Sequence, residues 1–144
     1  MIDYSIRRGR GTGPQIDLAP GHTGPVDAEL IHVDEDAFFA IEGFFDSGQI
    51  NHYGPSVVGA KDWSKAMESI AAEAKARRED VQLKDFNLDQ IEGWSWLVRH
   101  PQILADVRLR GAVGLLALLT MLDDMSDTGM RWAAEHPAVY ISGV

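Results

Sequence analysis

The stretch ELIHVDEDAFFAIEGFFDSGQINHYG, residues 29–54, admits two readings. In the first it is a capped helix. Asp34 stands just ahead of Glu35 and Asp36, whose charges suit the positive N-terminal end of a helix dipole, and its own carboxylate can accept from the first free backbone N–H groups. Phe38, Ile41 and Phe45 then recur at i, i+3 and i+7, Phe39 and Phe44 widen the apolar face, and Gly48 stands where such a helix would stop. In the second reading it is a metal or acid–base site. His32, Asp34 and Asp36 have period two, so an extended chain would turn all three to one side. A nitrogen and two carboxylates suit zinc, manganese or iron, with His52 as a fourth ligand if the NHYG turn folds back. The helix takes precedence, because an acidic triplet before an apolar periodic run is what a helix start requires anyway. The site on His32, Asp34, Asp36 and His52 stands as the alternative.

Beyond this stretch, QINHYGPSVV reads as a turn and short extended chain, with Pro55 barring a helix at Gly54. Trp63, Met67, Ile70 and Ala74 form an i, i+4, i+7, i+11 stripe that predicts a helix over roughly 61–79, with Glu73 and Arg77 in the favourable i,i+4 order. Asn87 and Gln90 spell a capping box ahead of Ile91, Trp94, Leu97 and Val98, and Pro101 breaks or restarts that helix. A further helix is expected from Gln102 to about 122, with small residues at Gly111, Gly114 and Ala117 where another backbone could approach. A short one follows over 126–135, and AVYISGV is strand-like. On the N-terminal side, Ile2, Tyr4 and Ile6 alternate with Asp3, Ser5 and Arg7 as a half-buried strand would. Residues 9–25 are a Gly/Pro-rich loop with a short extended piece at QIDL. The expected fold is one α+β domain over 1–144, mainly helical with four to five helices, its short N- and C-terminal strands forming a small sheet against a helical layer.

Composition narrows the function. A net charge of −9 argues against a nucleic-acid surface and favours a basic protein partner. The absence of cysteine excludes disulfides, thiolate metal sites and cysteine nucleophiles. GAVGLLALLTML, the longest apolar run, covers roughly 18 Å as a helix against the ~30 Å of a bilayer core, so no membrane partner is expected. MIDYSIRRGR lacks the apolar core of a signal peptide, which makes a soluble cytoplasmic protein the expectation.

Three short motifs carry less than they promise. DDMSD, residues 123–127, matches the DDxxD pattern with which prenyl-transfer enzymes hold magnesium, but over five residues and with no second acidic motif. It reads as a solvated helix end with Asp124 or Ser126 capping the next helix. GRGTG, residues 9–13, could offer backbone N–H groups to a phosphate beside Arg7, Arg8 and Arg10, but no Lys-Ser/Thr follows and Pro14 removes a donor. It reads as a loop whose basic patch can meet an acidic partner or another copy of the chain. No G-x-S-x-G is present, and His22, His100 and His136 read as surface or capping residues. With Trp94 on a core face, Trp96 lies about 200° round the helix, where an exposed ring would be a suitable anchor for a protein partner; packing in the core or between helices is the commoner fate of such a residue.

HVDEDAFF, NHYG and KDW, spread over residues 32–75, resemble a pattern of small uncharacterised bacterial proteins, which implies no activity. By analogy of class, small acidic proteins of this kind include immunity proteins that cover a toxin's basic site. The expected function is therefore a non-enzymatic acidic protein-binding module, immunity- or antitoxin-like, with no cofactor. Its binding residues would be Asp34, Glu35, Asp36, Tyr53, Trp96, Asp123, Asp124 and Asp127. The alternatives are a small metal-dependent or hydrolytic enzyme on His32, Asp34, Asp36 and His52, and a structural subunit of a homo-oligomer built on the Gly111/Gly114 helix or the terminal strands.

Overall fold

The computed structural model describes residues 1–10, 13–21, 29–51 and 54–143. Five strands, β1 (Ile6–Arg8), β2 (Gln15–Pro20), β3 (Ile31–Asp34), β4 (Ser56–Gly59) and β5 (Ala138–Ser142), form one sheet in the order β1-β3-β2-β5-β4. Every neighbouring pair is antiparallel. The helices are α1 (Glu35–Glu42), α2 (Ala60–Val81), a 3-10 helix (Leu88–Gly93), α3 (Ser95–Val98), α4 (Pro101–Arg110) and α5 (Ala112–Glu135). This is the expected α+β domain, with both terminal strands in one sheet. They do not pair with each other: β1 lies at an edge, while β5 is enclosed between β2 and β4.

The two faces of the sheet follow from the strand alternation. Ile16, Leu18, Ile31, Val33, Val58, Val139 and Ile141 are buried beneath the helices. Register then places Arg7, His32, Asp17 and Ser142 in one cross-strand row on the opposite face. The helical layer is organised by α2 and α5. The Trp63, Met67, Ile70 and Ala74 stripe is fully buried, and burying side chains of the larger kinds stabilises by about 1.5–3 kcal/mol each. Gly129 lets α5 come close: a Cβ there would meet Met67 Sδ, Met67 Cγ at 2.7 Å and Trp63 Nε1 at 3.0 Å. The Trp63 indole N–H uses the same gap to donate to the Gly129 carbonyl at 2.8 Å, and the Trp63 and Trp132 rings stack at 6.3 Å.

The segment before β1 is tied to α4 by a buried polar cluster. Tyr4 donates its hydroxyl to Asp106 Oδ2 at 2.9 Å and Ile2 N donates to Asp106 Oδ1 at 3.1 Å. Arg110 donates to the Ile2 carbonyl at 2.7 Å and lies 3.3 Å from Asp106 Oδ2, its guanidinium over the Tyr4 ring. Burial and the hydrogen bond to Asp106 push the Tyr4 hydroxyl pKa well above the ordinary tyrosine value.

Several helix boundaries differ from the sequence reading. The helix after Asp34 stops at Glu42, six residues ahead of Gly48, so Phe44 and Phe45 pack from the turns beyond it. The 87–100 segment is a 3-10 turn followed by one short helix. The break expected near Pro101 is joined by a second at Gly111, whose φ of 68° suits glycine. Beyond it, Ala112–Glu135 is one continuous helix, with no cap at Asp124 or Ser126. Gly114 does not open a face to another chain, because a Cβ there would meet Arg110 Cβ at 2.7 Å. Among the described residues, no helix is long and apolar enough to cross a membrane.

Candidate functional site

Strands β1 and β2 both run antiparallel to the β3 that separates them, so they are parallel to each other. Two hydrogen bonds tie the described residues that follow β1 and precede β2 to β3 and α1: His32 Nδ1 to the Gly9 carbonyl at 2.7 Å, and Glu35 N to the Pro14 carbonyl at 3.3 Å. A carbonyl only accepts, so His32 carries its proton on Nδ1, and Nε2 is the ring nitrogen left for other partners. A cleft of about 430 Å³ is lined by Asp3, Arg7, Arg8, Arg10, Gln15, His32 and Asp34, together with Ser5 and Pro14.

The carboxylates of this cleft are already engaged. Asp34 Oδ1 accepts from Asp36 N at 2.9 Å and Ala37 N at 3.2 Å, the expected cap of α1. Asp3 accepts from the Ser5 hydroxyl and amide and from Arg7 Nη2 at 2.8 Å. The hydrogen bonds from Ser5 and then the Arg7 charge hold its carboxyl below the usual aspartate value. Among the described residues, Arg8 and Arg10 have no ion-pair partner.

The common face expected for His32, Asp34 and Asp36 holds for the first two only. The strand ends at Asp34, and Asp36 lies on the first turn of α1, where the period is no longer two. His52 lies outside the described residues, and among those described no three His, Asp or Glu side chains gather to hold a metal ion.

A second groove, of about 650 Å³, runs along the other side of the N-terminal segment. Met1, Ile2, Tyr4 and Ile6 line it with Ala117, Thr120 and Asp124 of α5, and with Asp3, Arg7 and Arg110. Ala117, Thr120 and Asp124 are spaced i, i+3, i+7, which brings the DDMSD stretch to this groove from the middle of a helix. Asp123 is paired with Arg78 at 2.5 Å. Asp124 and Asp127 are exposed and have no cation partner among the described residues. Partial burial and the neighbouring Asp127 and Asp123 carboxylates hold the Asp124 carboxyl above the ordinary aspartate value, with Arg78 opposing.

The anchor role expected of Trp96 is corrected. Trp94 ends the 3-10 turn with extended φ and ψ, so the 200° helical rotation between the two rings does not apply. Both are buried, Trp96 at 7% exposure, stacked on Trp94 at 6.3 Å and packed on Phe44. Tyr53, the other aromatic anchor candidate, lies outside the described residues. Glu35 and Asp36 are exposed in the first turn of α1. The sequence showed the basic patch at Arg7, Arg8 and Arg10 but not its meeting with His32 and Gln15. Finding that would have required knowing that β3 inserts between β1 and β2.

Comparison of the chain with protein-family models, with curated proteins and with solved structures finds no match.

Proposed function

We propose that this chain is a non-enzymatic protein-binding module, cytoplasmic and immunity- or antitoxin-like in type, that receives a basic partner in the groove between the N-terminal segment and α5. What supports the reading is the charge balance of that groove. Arg7 is matched by Asp3 and Arg110 by Asp106, which leaves Asp124 as the carboxylate without a cation. Asp127 stands one turn further along the same helix, and its charge raises the proton affinity of Asp124, an arrangement that an incoming lysine or arginine would relieve. Ile2, Ile6 and Ala117 give the aliphatic stem of such a side chain an apolar wall. Glu35 and Asp36, exposed and without a cation partner among the described residues, add negative charge elsewhere on the surface, which speeds encounter with a basic molecule.

The test begins with native mass spectrometry of the chain purified from its source cells, followed by association kinetics with the protein that accompanies it. The expected partner is basic, and its on-rate falls roughly ten-fold between about 0.05 and about 0.3 M salt. Asp124→Lys with Asp127→Lys should slow association further while leaving the fold intact, since both positions are exposed. A salt-independent on-rate, or a partner indifferent to the charge reversal, would refute the proposal.

A further inference from the structure

We infer that the cleft lined by Arg7, Arg10, Gln15 and His32 is a binding site for a small phosphorylated molecule, one that shares Asp3 and Arg7 with the groove beside α5. It is a cationic place on a strongly acidic chain. Of 13 Lys and Arg residues in the whole sequence, three fall within residues 7–10 and all three line this one cleft. The two carboxylates that share it accept from fixed donors, Asp34 from the α1 backbone and Asp3 from the Ser5 amide and hydroxyl. Arg8 and Arg10 remain without a counter-charge among the described residues.

The donors suit a phosphate. Arg10 brings a free guanidinium fork, the geometry that meets two phosphate oxygens at once. Arg7 is held by Asp3 in an open surface pair, the two side chains 62% and 48% exposed, and such pairs contribute little and exchange readily. Gln15 adds a neutral amide as a donor, whereas the Nε2 of His32, with the ring proton on Nδ1, is an acceptor and meets only a protonated phosphate oxygen. Arg8 is in register with Ile31, on the strand face opposite Arg7, and lines both this cleft and a smaller one beside Glu29 and Arg131. Asp17, beside His32 in the cross-strand row, does not line the cleft. A space of about 430 Å³ exceeds what a bare phosphate fills and lies within the size range of small-molecule sites, leaving room for an organic remainder.

The probe is inorganic phosphate, titrated into the full chain at constant ionic strength and followed by NMR of the backbone amides and the arginine Nε–H groups. Saturable shifts are expected at Arg7, Arg8, Arg10, Gln15 and His32, with half-saturation at about 1 mM. Arg10→Gln should raise that concentration about ten-fold, the effect of losing one charge-assisted hydrogen-bond pair. Asp3→Asn releases Arg7 and should tighten binding several-fold, a gain that misfolding cannot imitate. Arg99→Gln, an exposed arginine elsewhere, should change nothing. Shifts that are diffuse and unsaturated, or weakened equally by Arg10→Gln and Arg99→Gln, would overturn the site. Acetate binding as tightly as phosphate would overturn its assignment to a phosphorylated ligand. Arg10 lies outside the α5 groove, so Arg10→Gln tests this site alone, and the α5 groove is judged by its own variants on α5.

Discussion

Replacing Asp106 by alanine should be among the most damaging single changes in this chain. Asp106 is 8% exposed and its two oxygens take three donors, the Ile2 amide, the Tyr4 hydroxyl and Arg110. Without it the Tyr4 hydroxyl is a buried donor with no acceptor, and Arg110 keeps only the Ile2 carbonyl. Removing one member of a buried ion pair costs about 3–5 kcal/mol, and the orphaned hydroxyl lies within that figure because the three groups act together. With a urea slope of about 2 kcal/mol per M, the unfolding midpoint should fall by about 2 M. Tyr4→Phe removes only the hydroxyl and should cost about 1 kcal/mol, and the double variant should cost less than the two losses added. Alkali supplies an independent check. Because the folded-state pKa of Tyr4 is raised, its stabilising contribution is complete below the ordinary tyrosine value near 10 and is lost as pH climbs above it, where only the unfolded chain gives up the proton. Tyr4→Phe should remove that part of the slope. A midpoint change under about 0.5 M for Asp106→Ala would show that water replaces the carboxylate and would refute the reasoning.

Other outcomes follow from the same structure. Gly129→Ala forces a methyl against Met67 and Trp63 and should cost about 1–3 kcal/mol, visible as a lower thermal midpoint by tryptophan fluorescence. Asp34→Ala removes the α1 cap and should cost about 1 kcal/mol in chemical denaturation, whereas Asp34→Asn should recover most of the loss. His100 stacks on Phe39 with its Nε2 buried and unpartnered, and burial, with the Arg99 charge, depresses its pKa. Its contribution is therefore complete above the ordinary histidine value near 6.5 and is lost as pH falls below it, because the unfolded chain takes up the proton first. Stability measured between pH 7.5 and 5 should decline less steeply in His100→Phe than in the parent chain.

The features readable in the sequence are those whose physics is local. The Trp63 stripe, the Asp34 cap, the Asn87 cap and the strand character of AVYISGV each depend on neighbours a few residues away, and each is found in place. The loop expected over 9–25 is corrected: Gln15–Pro20 is a strand held between β3 and β5, pairings that its own stretch does not reveal. Strand order is not local. Nothing near Ile31 indicates that β3 divides β1 from β2, and without that insertion the arginines at 7, 8 and 10 look like part of an open loop. Trp96 was misplaced for a related reason: a rotation angle presumes a regular helix, and the chain at Trp94 is extended. Gly129 carries no mark in its own stretch, since its value lies in what α2 brings opposite it. Asp106 likewise reads as one charge among many on α4 until Tyr4 arrives from the far end of the chain.

The enclosed position of β5 has a consequence for the order in which this molecule can assemble. The pairings of β1 and β2 with β3 lie within residues 6–34, but among the described residues β4 pairs with β5 alone, and β5 joins β2 across a long sequence separation. A chain still in synthesis, or cut ahead of Ala138, therefore holds two separate strand groups with an open slot between them, and pairings over so long a separation form slowly. Until β5 arrives, the free edges of β2 and β4 can accept any extended peptide, including the same strand of a neighbouring molecule. Conditions that delay the arrival of β5 should thus favour strand exchange between copies, and β5 acts as the bolt that closes the sheet.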